Sequence, residues 1–212
     1  MKKTNIFIFI VILASFAMGA YFYPQFPDRV ASHWNIQGQV DGYMSKSWGL
    51  FLLPVILLGM WMMFILIPKI DPMKKNIEKF RKYFDAFIAL IVLFLFYLYV
   101  LTIFWNMGAR FDMGRVLLPA MGILFYFAGV LLKHAKRNWF VGIRTPWTLS
   151  SDNVWDKTHQ LGAKLFKIAG VIAFLGIFFQ KIAFWLVIIP IILFAIFVSV
   201  YSYLLYKKEE KK

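Results

Sequence analysis

Residues able to do chemistry gather in two stretches. Between residues 24 and 47 the chain places His33, Trp34, Asn35, Asp41, Gly42, Tyr43 and Lys46 within 14 positions. Between 133 and 163 it places Asn138, Trp139, Gly142, Arg144, Thr145, Pro146, Trp147, Thr148, Trp155 and His159. His33 and Asp41 could ligate a metal, but two candidate ligands are too few for a zinc site. No metal and no cofactor is therefore expected. Arg144 offers a planar fork of donors that matches a carboxylate or phosphate, which a lysine would not reproduce. The chain has no Gly-x-Ser-x-Gly elbow, no His-Glu-x-x-His, no phosphate-cradling glycine loop and no dinucleotide fingerprint. Both stretches read as binding surfaces, and the protein is not expected to be an enzyme.

The elements that must carry these stretches follow from composition. Of 212 residues, 61% are hydrophobic and only 16% charged, and 20% are aromatic. A soluble domain runs near 45–50% apolar and about 25% charged, and one of this size has too little interior for so much apolar surface. The chain has no Cys, which excludes a disulfide scaffold. An integral, multi-pass cell-membrane protein is the class that remains.

Six apolar runs approach the roughly 20 residues that cross the hydrocarbon. They are 5–23, 48–67, 84–105, 116–132, 163–179 and 182–206. The fold class is accordingly all-α, a six-span helical membrane protein. The fifth run is the weakest, because only the 12 residues 168–179 are uninterrupted, and it spans only if Lys164 and Lys167 snorkel. Lys2 and Lys3 before an apolar run also fit a signal peptide, but the run is long enough to span and is expected to stay as a helix. Three regions are expected: 1–70, two spans with an external loop; 71–110, a basic loop and the third span; and 111–212, three spans with a cytoplasmic loop.

Orientation comes from the basic residues. The N-terminus, the second loop, the fourth loop with Lys164 and the C-terminal tail hold 18 Lys and Arg, against 5 in the other three loops. The positive-inside rule then places both termini in the cytoplasm. The same rule accounts for the net charge of +14 without nucleic acid, which is not expected as a partner. Membrane lipids are. His33 falls on the opposite face from His134 and His159, so the three cannot share a site. The spans lack ionisable residues at mid-depth, unlike proton-driven pumps and voltage sensors. Ser15 with Gly19, and Ala169 with Ala173, are spaced for close helix packing.

The external loop admits two readings: a recognition surface for a peptide or lipid, or an interfacial cap with Trp and Tyr at head-group level. Asp41-Gly42 is expected to form its tight turn. In the cytoplasmic loop, Thr148, Ser150 and Ser151 each suit a helix N-cap, and a helix from about Asp152 aligns Val154, Trp155, Thr158, His159 and Gly162 on one side. Such a helix either docks a partner protein or lies in the interface, anchored by Trp147 and Trp155.

Two motifs carry a family resemblance. His33-Trp-Asn-x-x-Gly38-x-x-Asp41-Gly-Tyr-x-x-Lys46 resembles the DUF1648 membrane domain that precedes many SdpI domains. Asn138-Trp-x-x-Gly142-Ile-Arg-Thr-Pro-Trp147-Thr-Leu-x-Ser-x-x-x-Trp155-x-x-Thr-His159 resembles the signature of the SdpI family itself. The resemblance implies an immunity and signalling protein that resists a secreted, membrane-active peptide toxin. It also implies a cytoplasmic transcriptional repressor held at the membrane. A membrane enzyme or lipid-handling protein acting on head groups, and a structural membrane subunit, stand as alternatives. Finally, Trp34-x-x-x-Gly38 and Trp139-x-x-Gly142 form a faint echo between halves of three spans each, as in inverted repeats.

Overall fold

The computed structural model describes residues 2–211. Its long helices are α1 (Lys2–Phe22), α2 (Lys46–Ile70), α4 (Arg81–Asn106), α5 (Met113–His134), α7 (Asp152–Leu175) and α8 (Ala183–Glu210). Each is long and apolar enough to cross a membrane. Two short helices, α3 (Lys74–Lys79) and α6 (Pro146–Ser150), lie in loops. The strands β1 (Arg29–Trp34) and β2 (Val40–Ser45) pair antiparallel between α1 and α2.

The fifth span begins well before its uninterrupted apolar run. Ser151 caps α7, its hydroxyl accepting from the Val154 N–H at 3.2 Å. Val154, Trp155, Thr158, His159 and Gly162 are then buried against protein rather than lipid. The first turns of α7 are thus buried inside the fold, and the interfacial-anchor reading of Trp155 is corrected: the residue is 0% exposed.

One packing unit joins α1, α2 and α4. The Tyr99 hydroxyl of α4 lies 3.0 Å from the Ser15 carbonyl of α1 and 2.9 Å from the Leu50 carbonyl of α2. A Cβ on Gly19 would stand 3.0 Å from that hydroxyl, so the glycine leaves room for the junction. A second unit joins α5 to α7 along a seam of small residues. Cβ atoms on Gly122 and Gly170 would stand 2.7 and 2.6 Å from each other's carbonyl oxygens, and one on Gly129 would stand 2.6 Å from the Ala163 carbonyl. Ala169 and Ala173 are buried in the same helix. Backbones approach this closely in membranes because packing, not water exclusion, holds the helices together. Helix α8 lies against α7 and leaves most of its surface exposed, as a lipid-facing helix does.

The start of α1 and the end of α8 lie at one end of the bundle. Asn76 after α2 donates to the Arg137 carbonyl after α5 at 2.8 Å, and Ser151 donates to Glu209 near the end of α8 at 2.7 Å. Thr4 and Asn5 of α1 line the same small hollow as Arg81 and Asp85.

The external loop corrects the expected position of its turn. Asp41-Gly42 lies inside β2, not in a turn. The turn is at Asn35–Gln39: the Asn35 carboxamide oxygen accepts from the Gln37 and Gln39 N–H groups at 3.0 and 2.9 Å, and Gly38 takes φ 75°. The loop after the first span is therefore a hairpin, whereas the loop after the fourth is irregular with one short helix. Trp34 and Trp139 are not structural equivalents, and the internal echo does not reflect matching loops.

Candidate binding surfaces at the two ends of the bundle

At one end the hairpin is fixed to the bundle by its backbone. Asn106, in the last turn of α4, accepts from the Ala31 N–H at 2.8 Å and donates to the Ala31 carbonyl at 3.0 Å. This carboxamide pairs both backbone groups of Ala31 in β1. Val30 packs against α2, where any side chain on Gly49 would overlap it. The Trp34 ring meets Trp105 edge-on at 5.5 Å, and the Arg110 guanidinium covers Trp105 at 4.2 Å.

Those anchors leave the other face of the hairpin in water. His33 Nδ1 donates to Asp41 at 2.5 Å, with both side chains well exposed. Gly42 sits opposite His33, where a Cβ would stand only 2.8 Å from the His33 Cβ. Tyr43 is exposed. Lys46 pairs with Asp28 at 3.1 Å and lies over the Tyr23 ring at 5.0 Å. The polar residues expected to act together are therefore divided. Trp34 and Asn35 build the hairpin, Lys46 ties it to α2, and His33, Asp41 and Tyr43 form its accessible face.

At the opposite end, the chain from 135 to 151 is docked onto the bundle by hydrogen bonds. Asn138 is fully buried: its carboxamide donates to the Lys136 and Val141 carbonyls and accepts from the Phe140 and Val141 N–H groups. Gly142 follows at φ 115°, a conformation that side chains rarely adopt. It lies over His159, whose Nε2 accepts from the Ile143 N–H at 3.0 Å and whose Nδ1 donates to the Trp155 carbonyl at 2.8 Å. These partners require the neutral Nδ1–H tautomer. The His159 ring stacks on Trp155 at 3.9 Å, and the Trp155 indole donates to the Ala135 carbonyl at 2.9 Å.

Thr145 and Thr148 close a capping box around α6, and the Thr145 hydroxyl bonds Ser202 of α8 at 3.0 Å. Trp147 packs against Tyr203 with ring centres 5.1 Å apart. Pro146 opens α6 at a position where its missing N–H costs nothing. Most of the second motif thus builds a scaffold. What it displays is Trp139, 51% exposed, with Phe140 and Arg144, whose guanidinium folds back to the Trp139 carbonyl at 2.6 Å.

Two residues outside the motif hold this platform and escaped the sequence reading. Asp71, 2% exposed, accepts from the Met73 N–H at 2.6 Å and the Trp139 N–H at 2.9 Å. Asn76 bonds Arg137, as described above. The available signal was an acidic residue set between the end of an apolar run and Pro72. His134 stacks on Tyr83 at 3.6 Å. Among the described residues no group of three or more His, Asp or Glu side chains could hold a metal ion.

Six apolar helices with an ordered surface at each end define a multi-pass protein of the cell membrane. Comparison with known proteins shows what it is similar to. Residues 10–58 match the domain of unknown function DUF1648, and residues 134–202 match the SdpI/YfhL protein family. The chain is 26% identical over 207 residues to the Immunity protein SdpI of Bacillus subtilis (strain 168), covering 97% of each chain. The chain is thus similar to the SdpI family over its C-terminal third and to DUF1648 near its N-terminus. No solved structure matches the chain.

Proposed function

We propose that this protein is a membrane immunity protein: it protects the cell that makes it from a secreted, membrane-active peptide. The observation that carries the reading is the end-to-end similarity to a protein named for immunity, which leaves neither binding surface outside the aligned length. In this reading the hairpin end faces outward and both termini face the cytoplasm, as the basic residues of the loops require. The peptide meets the accessible hairpin face of His33, Asp41 and Tyr43.

At the inner end, Trp139, Phe140 and Arg144 form the surface that holds a transcriptional repressor at the membrane. A rigid scaffold presenting an exposed tryptophan beside an arginine suits a protein interface, where these two residue types dominate the energetics. The two roles divide along the chain, with residues 1–70 sensing and 111–212 recruiting. Neither role uses a catalytic group.

Expression in a cell sensitive to a membrane-active killing peptide tests the immunity role. Survival that depends on the chain is the expected result, and undiminished killing by every such peptide would overturn it. Arg144→Lys and Trp139→Ala test the inner role separately, because they should abolish membrane recruitment of the repressor while protection persists.

A further inference from the structure

We infer that the hairpin end of the bundle holds one anionic glycerophospholipid, with its acyl chain in an apolar cavity and its phosphate between Arg115 and Lys181. The cavity measures about 270 Å³ and lies between the hairpin, the start of α5 and the start of α8. Trp34, Leu118, Met121, Ala183, Val187 and Ile188 are among its walls. That volume stands just below the roughly 300–1,000 Å³ typical of small-ligand sites, enough for the first part of an acyl chain. Arg115 lines this cavity and also an adjoining, more open hollow, whose second cation is Lys181. An apolar cavity beside two cations is complementary to an amphipathic anion.

The vertical order of these groups selects a lipid rather than a peptide side chain. Leu118 and Met121 lie five and eight residues into α5, which begins at Met113. At 1.5 Å per residue that is about 8–12 Å below the helix start. The polar layer at each membrane face is about 5–7 Å thick, so these walls stand at the depth of the upper methylenes. Arg115, in the first turn of α5, and Lys181, two residues before α8, lie nearer the helix starts than those walls, where a phosphate would sit above them. Phe178 and Phe184, walling the two hollows, are exposed on the outside of the bundle, which gives lipid a lateral way in.

Asp112, the one carboxylate among the described residues lining the two hollows, is engaged as the N-cap of α5, accepting from the Arg115 N–H at 3.1 Å. Among those residues two cations stand against one carboxylate. A phospholipid with an uncompensated phosphate, such as phosphatidylglycerol, is therefore preferred over phosphatidylcholine, whose choline repels the same cations.

Native mass spectrometry of the full chain in mild detergent, titrated with each of the two lipids, reads the site without reference to immunity. Wild type should retain one phosphatidylglycerol more tightly than phosphatidylcholine. Arg115→Gln/Lys181→Gln should lose that preference, weakening phosphatidylglycerol about tenfold for each charge-assisted bond removed. Ala183→Leu, which fills the cavity, should weaken both lipids, with the thermal midpoint of each variant checked against wild type. Equal binding of the two lipids by wild type, or wild-type retention of phosphatidylglycerol by the charge variant, would overturn the proposal. So would uptake of an amphipathic peptide by a site that rejects phosphatidylglycerol. Absence of protection by the wild-type chain with lipid retention intact would count against the immunity reading and leave this site standing.

Discussion

Replacing Gly142 by alanine should destabilise the protein through one identifiable contact. The residue has φ 115°, so a Cβ costs about 1–2 kcal/mol in backbone strain alone. That Cβ would also overlap His159 Nε2 and stand 3.3 Å from the Trp155 ring. His159 cannot swing aside freely, because two hydrogen bonds and a stacked, fully buried tryptophan hold it. Displacing it strands the Ile143 N–H, which adds about 1–3 kcal/mol. Gly108 provides the matched control: its φ is 106°, and nothing lies within 4 Å of a Cβ there. Gly108→Ala should therefore show the strain without the collision. Thermal or denaturant unfolding in one detergent at one scan rate measures both. In a His159→Ala background the collision partner is gone, and the added penalty of Gly142→Ala should fall to that of Gly108→Ala. An equal penalty for Gly142→Ala in the two backgrounds would refute the reasoning.

Gly170→Ala should lower the thermal midpoint by more than Gly59→Ala, because its Cβ would meet the Gly122 carbonyl and the Tyr126 N–H at 2.6 Å, whereas Gly59 faces open space. Asp71→Ala removes the acceptor of two backbone donors and should cost about 3 kcal/mol or more; hydrogen exchange should locate the loosening at Met73 and Trp139. Trp147→Ala, by removing the contact with Tyr203, should release α6 from α8 and speed proteolysis near Thr145. Asp41→Asn should change stability by less than about 1 kcal/mol, since an exposed polar contact contributes little. It should nevertheless impair protection, and a large stability loss would show the pair to be structural.

The spans were legible in the sequence because lipid demands long apolar runs, and nothing else in a chain of this length produces six of them. The face of α7 was legible too, since Val154, Trp155, Thr158, His159 and Gly162 follow helical spacing. The hairpin was not. Asp41-Gly42 is a common turn dipeptide, yet here the glycine is needed opposite the His33 Cβ and the aspartate for the His33 ring. The turn fell instead to Asn35, whose side chain imitates a backbone bend, and to Gly38 with its positive φ. Burial within the second motif was also invisible, because tryptophan suits a membrane interface and a core equally well. Trp139 and Trp155 differ only in what folds over them. The Asp71 bond to Trp139 joins residues 68 apart, and no local pattern announces such a pairing.

Deleting the gene from the cell that carries it, and exposing that cell to the peptide secreted by its wild-type siblings, tests the immunity role most directly. The account predicts that the deleted cell is killed where its siblings survive, and that restoring the chain restores survival. Equal survival of the deleted and wild-type cells under exposure would contradict it.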